Sequence, residues 1–248
     1  MTEPPADHFS AAAPDYARFR PRYPASLFDY LASLVTDRDL AWDCATGTGQ
    51  AVAPLVARFR RVVASDASFA QVTQANRPPG VAFFVARAER VPLRDDCVSL
   101  VTVGQALHWF DRAAFFSEVR RILRPDGILS AWTYNLCTVG GDVDSVVNVF
   151  YRDILGPYWP PERSLVEDSY DAIAFPFAST AAVTMQMSAH WTVEELLSYL
   201  GTWSAVKRYR DARHEDPVDC IRAKLREAWG AIDRRSVSWP LCIRTARR

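Results

Sequence analysis

The sequence predicts an α/β fold, in which a mostly parallel sheet carries helices on both faces. Three observations lead to this prediction. From residue 40 onward, short apolar segments typical of strands alternate with longer segments of helical periodicity. Turns that contain Gly or Pro separate several of these segments. The chain has 248 residues, which is enough for one large domain with a full core.

Each element follows from the local pattern of apolar and turn residues. Seven strands are predicted, at 40–44, 62–65, 81–85, 98–103, 128–133, 182–188 and 236–245. Helices are predicted at 26–35, 50–59, 69–76, 111–123, 192–200 and 216–229. Asp111 is a candidate N-cap. One further helix is expected within 140–177, a segment long enough to form a lid over the strand ends.

Composition limits the classes of function. Apolar residues make up 49% of the chain and charged residues 23%, as in ordinary globular proteins. The formal net charge is zero, whereas nucleic-acid binders usually carry a basic excess, so no nucleic-acid partner is expected. Five scattered cysteines without a CxxC pair support neither a disulfide framework nor a metal site. Because no apolar run approaches ~18 residues and no signal-peptide pattern is present, we expect a cytoplasmic protein without a membrane partner.

A glycine-bearing turn, DCATGTGQ at 43–50, directly follows the first predicted strand. Gly47 and Gly49 allow the backbone to approach a ligand, and the next helix presents unpaired amides suited to a carboxylate. A dinucleotide fingerprint has a third small residue three positions after the second glycine, where this chain has Val52. Asp43 also departs from the uncharged turn usual around a pyrophosphate. The pattern therefore favours S-adenosylmethionine, which has an amino-acid end and a sulfonium, over a dinucleotide.

A second polar position lies at the end of the second predicted strand. Asp66 follows the glycine turn at about the ~20-residue spacing of an acid that binds ribose hydroxyls. Its carboxylate could accept two hydrogen bonds from a ribose diol. The alternative for Asp66 alone is a helix N-cap. Together with the glycine turn, the ribose interpretation is favoured.

The sequence resembles the class I methyltransferases that use S-adenosylmethionine, and within them the methyltransferase type 11 or trans-aconitate methyltransferase-like branch. The resemblance covers nearly the whole chain, and its most specific segment is QALHWFD at 105–111. The other segments that carry it are 8–10, Tyr16, 20–24, 43–50, Asp66, 88–93 and 202–206. It implies a Rossmann-like fold with a seven-stranded, mostly parallel sheet and a lid-like insertion after the fifth strand.

The resemblance also implies roles for individual residues and for parts of the chain. Asp43 would orient the cofactor's ammonium, Asp66 would hold the ribose hydroxyls, and the Ala88 amide would lie by the adenine. The full cofactor site would comprise Asp43, Ala45, Gly47, Gly49, Asp66, Ala88, Glu89 and Gln105. A single domain, 1–248, would consist of an N-terminal cap (1–35), a cofactor-binding core (36–135), acceptor-side insertion and helices (136–235) and a final strand (236–248).

Two departures from the family pattern stand out. Ala45 stands where many relatives have Gly, a small change that the turn can absorb. Arg87 stands where many class I enzymes have an acid that binds the adenine amine, so that adenine contact is not expected here.

The residues that bind the methyl acceptor follow a less regular sequence pattern than those that bind the cofactor. His108 is the candidate general base, with a structural hydrogen bond as the alternative. Arg18, Arg20 and Arg22 could pair with an acceptor carboxylate, or lie on a solvated face. Aromatic rings could sandwich a planar acceptor, or simply fill the core. The predicted acceptor-binding rings are Phe9, Tyr16, Tyr23, Trp109, Tyr134, Tyr158 and Trp159.

The leading hypothesis is a methyltransferase that converts S-adenosylmethionine to S-adenosylhomocysteine and methylates a small molecule. A planar or heteroaromatic specialised metabolite, methylated on N or O, is favoured slightly. The alternative acceptor is a small carboxylic acid, such as one like trans-aconitate, methylated to an ester. An RNA or protein methyltransferase and an NAD-dependent oxidoreductase are disfavoured. The expected assembly is a monomer or homodimer.

Overall fold

A single sheet organises the fold of residues 19–248, the range that the computed structural model describes. Within that range seven strands pair in the order β3-β2-β1-β4-β5-β7-β6. Their bounds are β1 Leu40–Cys44, β2 Arg61–Asp66, β3 Ala82–Val85, β4 Val98–Gly104, β5 Leu123–Tyr134, β6 Ser179–Trp191 and β7 Arg235–Arg247. The first five strands are parallel to one another, and β7 runs antiparallel between β5 and β6. The predicted mostly parallel, seven-stranded sheet is thus confirmed.

Helices cover both faces of this sheet. The α-helices of the described range are α1 Ala25–Ser33, α2 Val52–Val56, α3 Phe69–Gln74, α4 Arg112–Ile122, α5 Gly141–Val149, α6 Arg163–Glu167, α7 Val193–Gly201, α8 Ser204–Arg213 and α9 Asp219–Trp229. Asp111 caps α4 as predicted, since its side chain accepts a hydrogen bond from the Ala114 amide. The helix α8 was not predicted. In the same range no helix is both long and apolar enough to cross a membrane.

Alternation along the central strands separates the two apolar cores. On β1, Leu40 and Trp42 pack into the core on one face, whereas Ala41 between them packs into the core on the other. All five residues of this strand are buried. A strand buried on both faces is the pattern expected of a parallel sheet with helices on each side.

The strand order changes direction between β1 and β4, since the chain leaves β3 at one edge and returns beside β1. Parallel α/β sheets bind their ligands at such a switch point, outside the carboxyl ends of the strands. The predicted turn after β1, Asp66 at the end of β2 and Gln105 after β4 all lie at this edge. The fold therefore gathers residues that are far apart in the sequence.

The insertion after β5 is more helical than predicted. A π-helical turn at Phe150–Ile154 follows α5 directly, and α6 comes after a short 3-10 turn at Gly156–Tyr158. Tyr170, beyond α6, is completely buried. The insertion delivers Glu162 and Arg163 to cavities at the strand ends, which is the position predicted for a lid.

Replacing Gly104 with alanine is expected to destabilise the fold. An added Cβ would lie 3.0 Å from three atoms of the Trp132 indole. That ring is fully buried and packs edge-on against Tyr23 and Phe28, so these contacts oppose a shift of the ring. Overpacking of this kind costs about 1–3 kcal/mol of unfolding free energy, measurable by urea titration.

The matched control is Gly156→Ala, at an exposed position where an added Cβ meets no atom within 4 Å. Its unfolding free energy should change little or rise slightly. Equal midpoints for the two variants would contradict the tight contact between Gly104 and Trp132.

Candidate functional site

A cavity of about 560 Å³ opens at the carboxyl ends of β1 to β4. We call it the strand-end cavity. Its volume is typical of sites for small molecules and cofactors. Six of the eight residues predicted to bind a cofactor line it: Ala45, Gly47, Asp66, Ala88, Glu89 and Gln105.

The turn after β1 forms one wall of the strand-end cavity. Ala45 and Gly47 both have left-handed backbone, with φ of 52° and 54°. The left-handed region favours glycine, so Ala45 holds a conformation that costs a non-glycine residue about 1 kcal/mol. The Gly47 amide donates a hydrogen bond of 2.9 Å to Oδ2 of Asp66. This bond ties the ends of β1 and β2 together.

Asp66 organises the next turn as well. Its Oδ1 accepts a hydrogen bond of 2.9 Å from the Ser68 amide. The N-cap of α3 is Ser68, whose side chain accepts from the Gln71 amide. The alternative interpretation of Asp66 as a helix N-cap is therefore wrong. A carboxylate has about four acceptor positions, so the side chain of Asp66 can accept from several donors at once.

Two predicted cofactor residues, Asp43 and Gly49, do not line the strand-end cavity. Asp43 is buried beneath the turn, where its oxygens accept hydrogen bonds from the Thr46 hydroxyl at 2.5 Å and the Thr102 hydroxyl at 2.7 Å. Burial raises the pKa of Asp43 to about 6. Both of its oxygens face protein hydroxyls, so Asp43 supports the turn from below instead of facing the cavity.

On the opposite wall, the segment after β3 is fixed by carboxylates. Glu89 accepts a hydrogen bond of 3.1 Å from the Asp111 amide. It also pairs with Arg87 at 3.4 Å. Nearby, the Val91 amide donates to Glu118 at 2.8 Å. The chain around Ala88 is thereby held against the start of α4.

A second and narrower cavity of about 60 Å³ adjoins the first. We call it the aromatic cavity. Gln105 and Trp109 line both cavities and form the boundary between them. The aromatic cavity is lined by Arg20, Gln105, His108, Trp109, Tyr134, Asn135, Trp159, Arg163, Val166, Tyr199, Trp203 and Ser204.

The predicted acceptor-binding residues divide into three groups. His108, Trp109, Tyr134 and Trp159 line the aromatic cavity. Tyr23 and Tyr158 line neither of the two cavities, because other residues engage them. Tyr23 packs edge-on against Trp132 at 5.2 Å between ring centroids. Tyr158 packs on Tyr209, and its hydroxyl accepts a hydrogen bond from Arg213. Phe9, Tyr16 and also Arg18 lie outside the described residues.

His108 is poorly suited to the predicted role of general base. Its Nδ1 lies 2.8 Å from the Tyr170 hydroxyl. Burial and, to a smaller extent, the nearby Arg163 guanidinium together lower the pKa of His108 to about 3. A base is most effective when its pKa lies near the working pH. The imidazole is therefore a neutral hydrogen-bonding group around pH 7.

Sequence reasoning missed Arg163, Glu162, Arg208 and the pair Tyr199 and Trp203. Arg163 stacks over the Trp159 ring with 4.7 Å from Cζ to the ring centroid. Its Nε donates to the Tyr151 hydroxyl at 2.7 Å, and it also hydrogen-bonds Asn135. The only sequence signal nearby was the Pro- and aromatic-rich composition of the segment, which does not single out a cation.

The two cavities have opposite electrostatic character. The described lining of the strand-end cavity includes four acids, Asp66, Glu89, Asp111 and Glu162, and two arginines, Arg87 and Arg208. The described lining of the aromatic cavity includes Arg20 and Arg163 and no acid. An acidic excess disfavours a pyrophosphate and favours a cation in the first cavity. The second cavity favours an anion.

Comparisons with known proteins assign the family. A sequence profile described as "Methyltransferase domain" matches residues 42–131. A methyltransferase-family protein of Dictyostelium discoideum is 31% identical over 231 residues, which cover 92% of this chain and 88% of that protein. The chain belongs to the class I S-adenosylmethionine-dependent methyltransferases. The predicted family is thus confirmed, and the oxidoreductase alternative is set aside.

Solved structures agree with this assignment. A protein of Anaeromyxobacter dehalogenans described as a type II methyltransferase superposes with a TM-score of 0.85 and 41% identity, covering 92% of this chain and 97% of that one. An N-methyltransferase of Haemonchus contortus, in complex with S-adenosylhomocysteine, superposes with a TM-score of 0.51 and 13% identity, covering 96% of this chain and 58% of that one. The second likeness shows the fold alone.

Asp43→Asn tests the buried carboxylate under the turn. The pKa of an aspartate in an unfolded chain is about 3.9, whereas the pKa of Asp43 in the folded protein is about 6. Because the pKa of Asp43 is raised in the folded state, folding favours the protonated carboxyl group. The contribution of this group to the unfolding free energy therefore falls as the pH rises from about 3.9 to about 6. The difference in unfolding free energy, Asp43→Asn minus wild type, should therefore increase by about 3 kcal/mol over this pH range and then level off.

Urea titrations at a series of pH values measure this difference. A difference that is flat with pH, or that decreases as pH rises, would show that the carboxylate is not destabilised by burial.

Proposed function

We propose that this methyltransferase binds S-adenosylmethionine in the strand-end cavity and methylates a small acidic molecule held in the aromatic cavity. The observation that carries the proposal is the pair Arg20 and Arg163 in an aromatic pocket whose described lining has no acid. Guanidinium groups are the preferred partners of carboxylates. A small carboxylic acid, the second acceptor considered from the sequence, thereby becomes the first choice.

The strand-end cavity fits the proposed cofactor on three counts. Asp66 stands at the end of β2 and lines the cavity, the position from which a carboxylate binds ribose hydroxyls. The left-handed turn at Gly47 exposes backbone to the cavity. The acidic lining and the Trp109 ring suit a cation. When bound, S-adenosylmethionine supplies a methyl group already activated by a positively charged sulfur.

The contribution of the protein itself is positioning. Gln105 and Trp109 border both cavities, so ligands in the two cavities meet at these residues. Holding two reactants in line accounts for much of the rate enhancement of such a displacement. Arg20 is itself held, since its guanidinium donates to the Tyr134 hydroxyl and to the Thr202 carbonyl, both at 3.3 Å. A carboxylate needs no base, which agrees with the weak basicity of His108.

A planar or heteroaromatic acceptor is the second candidate. The rings of Trp109, Trp159 and Tyr134 line the aromatic cavity and offer flat apolar surfaces. Aromatic walls favour planar ligands through stacking. A planar acceptor that also carries an acidic group would satisfy both observations.

An acceptor panel tests the proposal. S-adenosylmethionine is supplied with small carboxylic acids, trans-aconitate among them, and with their amides as uncharged controls. A third set contains neutral heteroaromatic amines and phenols. Formation of S-adenosylhomocysteine is followed, and products are identified by mass spectrometry. We expect turnover of acids and little turnover of the matched amides. Turnover confined to neutral heteroaromatic compounds would reverse the order of the two candidates.

A further inference from the structure

Two oppositely charged side chains in the lining of the strand-end cavity have no partner within the described chain. They are Glu162, directly before α6, and Arg208, in the middle of α8. Neither side chain forms a hydrogen bond or an ion pair with residues 19–248, and the two do not pair with each other. Both are half-buried. Partial burial of an unpaired charge costs free energy, which a ligand of opposite charge would offset.

The other acids in the described lining of this cavity are engaged within the protein. Asp66 accepts hydrogen bonds from two backbone amides. Glu89 pairs with Arg87, and Asp111 caps α4. Glu162 occupies the N-cap position of α6, yet its side chain makes no capping hydrogen bond. Its carboxylate is therefore the one acid of the described lining without a contact inside the protein.

The same contrast appears among the basic residues of α8, of which there are four. Lys207 and Arg210 each form an ion pair at 2.7 Å, and Arg213 donates to a tyrosine hydroxyl. Arg208 is the remaining one, without a partner in the described part of the chain and in the lining of the strand-end cavity. Its guanidinium is therefore available to an anionic group in that cavity.

Chain neighbours place Glu162 and Arg208 at the end of the strand-end cavity that adjoins the aromatic cavity. Arg163, the residue after Glu162, lines the aromatic cavity. So does Ser204, one helical turn before Arg208 on the same face of α8. In the proposed function the methyl group faces the aromatic cavity. The amino-acid end of S-adenosylmethionine is separated from the methyl-bearing sulfur by only two methylene groups, so it belongs to the same end of the site.

We infer that Glu162 and Arg208 bind the amino-acid end of S-adenosylmethionine, with Glu162 accepting from its ammonium group and Arg208 donating to its carboxylate. The inference rests on the proposed function, because it takes the strand-end cavity as the cofactor site. Hydrogen bonds between charged groups of opposite sign are stronger than neutral ones, and a guanidinium can bind a carboxylate through two of them. The ammonium role predicted for Asp43 passes to Glu162, since both oxygens of Asp43 accept from protein hydroxyls.

The backbone that carries Glu162 is fixed before any ligand binds. Glu162 follows Pro160 and Pro161, whose rings restrict φ. The Arg163 amide donates to the Pro160 carbonyl at 2.9 Å, which closes the turn. Both Glu162 and Arg208 lie outside residues 42–131, the part that the methyltransferase profile matches. The pair therefore connects the cofactor site to the insertion and to α8, which the profile does not include.

Calorimetric binding of three ligands tests the two roles separately. S-adenosylhomocysteine carries both charges, its decarboxylated form carries the ammonium alone, and 5′-methylthioadenosine carries neither. We expect Arg208→Met to weaken S-adenosylhomocysteine binding about tenfold or more and to spare the other two ligands. Glu162→Gln should weaken binding of the first two ligands by a similar factor and spare 5′-methylthioadenosine. Arg210→Met removes a paired cation of α8 that lines neither cavity, and it should change none of the three affinities.

Unchanged S-adenosylhomocysteine binding in either variant, or an equal loss for all three ligands, would overturn the inference. A larger loss for S-adenosylmethionine than for S-adenosylhomocysteine in Glu162→Gln would place Glu162 beside the sulfonium and overturn its ammonium role. Because neither side chain has a partner among the described residues, both variants should retain the fold, which near-ultraviolet circular dichroism checks.

The same measurements separate this inference from the proposed function. None of them needs an acceptor, so failure of acid turnover together with the expected binding pattern would reject the proposed acceptor alone. Wild type that binds none of the three ligands would reject the proposed cofactor site and the inference together. Tight binding by wild type that neither substitution weakens would reject the inference and leave the cofactor site in place.

Discussion

Replacing Asp66 with alanine is expected to weaken S-adenosylhomocysteine binding by roughly a hundredfold or more. In the proposed function, the Asp66 carboxylate accepts hydrogen bonds from two ribose hydroxyls. A hydrogen bond to a charged group contributes about 1.5 kcal/mol or more. Two such bonds amount to about 3 kcal/mol, which is roughly a hundredfold in Kd. The variant also releases the Gly47 amide and loosens the turn after β1, which adds to the loss. Isothermal titration calorimetry measures the effect.

Asp29→Ala is the matched control for this experiment. Asp29 is an exposed acid on α1 that pairs with Arg58 at 2.7 Å, and it does not line the strand-end cavity. Its loss should leave binding unchanged. Thermal unfolding of both variants separates loss of the ligand contact from loss of the fold. Binding to Asp66→Ala as tight as to wild type would remove Asp66 from the proposed site.

The cofactor side of the site could be predicted from the sequence because local pattern determines it. Alternating segments predict a parallel sheet, and the carboxyl ends of parallel strands meet at one edge. Residues at the ends of strands or shortly after them, such as Gly47, Asp66 and Gln105, therefore come together at this edge. Asp43 was misplaced by this reasoning because its position at a strand end does not tell which way its side chain points.

The acceptor side depends on contacts that no local pattern encodes. Tyr158 and Trp159 are neighbours in the sequence, yet only Trp159 lines the aromatic cavity. The short 3-10 turn at Gly156–Tyr158 sends Tyr158 toward α8, where Tyr209 and Arg213 engage it. The directions in which two adjacent side chains point at such a turn depend on packing and not on residue type.

The helix α8 was not predicted from the sequence for a similar physical reason. Its sequence, SAVKRYRDAR, is dominated by charged residues, and Ala205 and Val206 are its buried residues. Tertiary contacts, such as the one between Tyr209 and Tyr158, stabilise it instead. Without the helix in the prediction, its lining residue Arg208 could not be assigned to the strand-end cavity.

Arg163→Met is expected to lower kcat/KM for acid acceptors by about ten- to a hundredfold. Methionine retains much of the apolar stem that lies over Trp159 but removes the charge that would pair with a carboxylate. Loss of a hydrogen bond to a charged group costs about 1.5–3 kcal/mol, and most of it should raise KM. S-adenosylhomocysteine binding should be preserved, because Arg163 lines the aromatic cavity and not the strand-end cavity.

Arg213→Met controls for the loss of a positive charge elsewhere. Arg213 lies at the end of α8, donates to the Tyr158 hydroxyl at 2.9 Å, and lines neither of the two cavities. Its kcat/KM should match wild type. An equal loss with an acid and with its uncharged amide would show that Arg163 maintains the shape of the pocket instead of binding the carboxylate. A loss confined to the acid would mean that charge in the aromatic cavity, and not its aromatic walls alone, selects the acceptor.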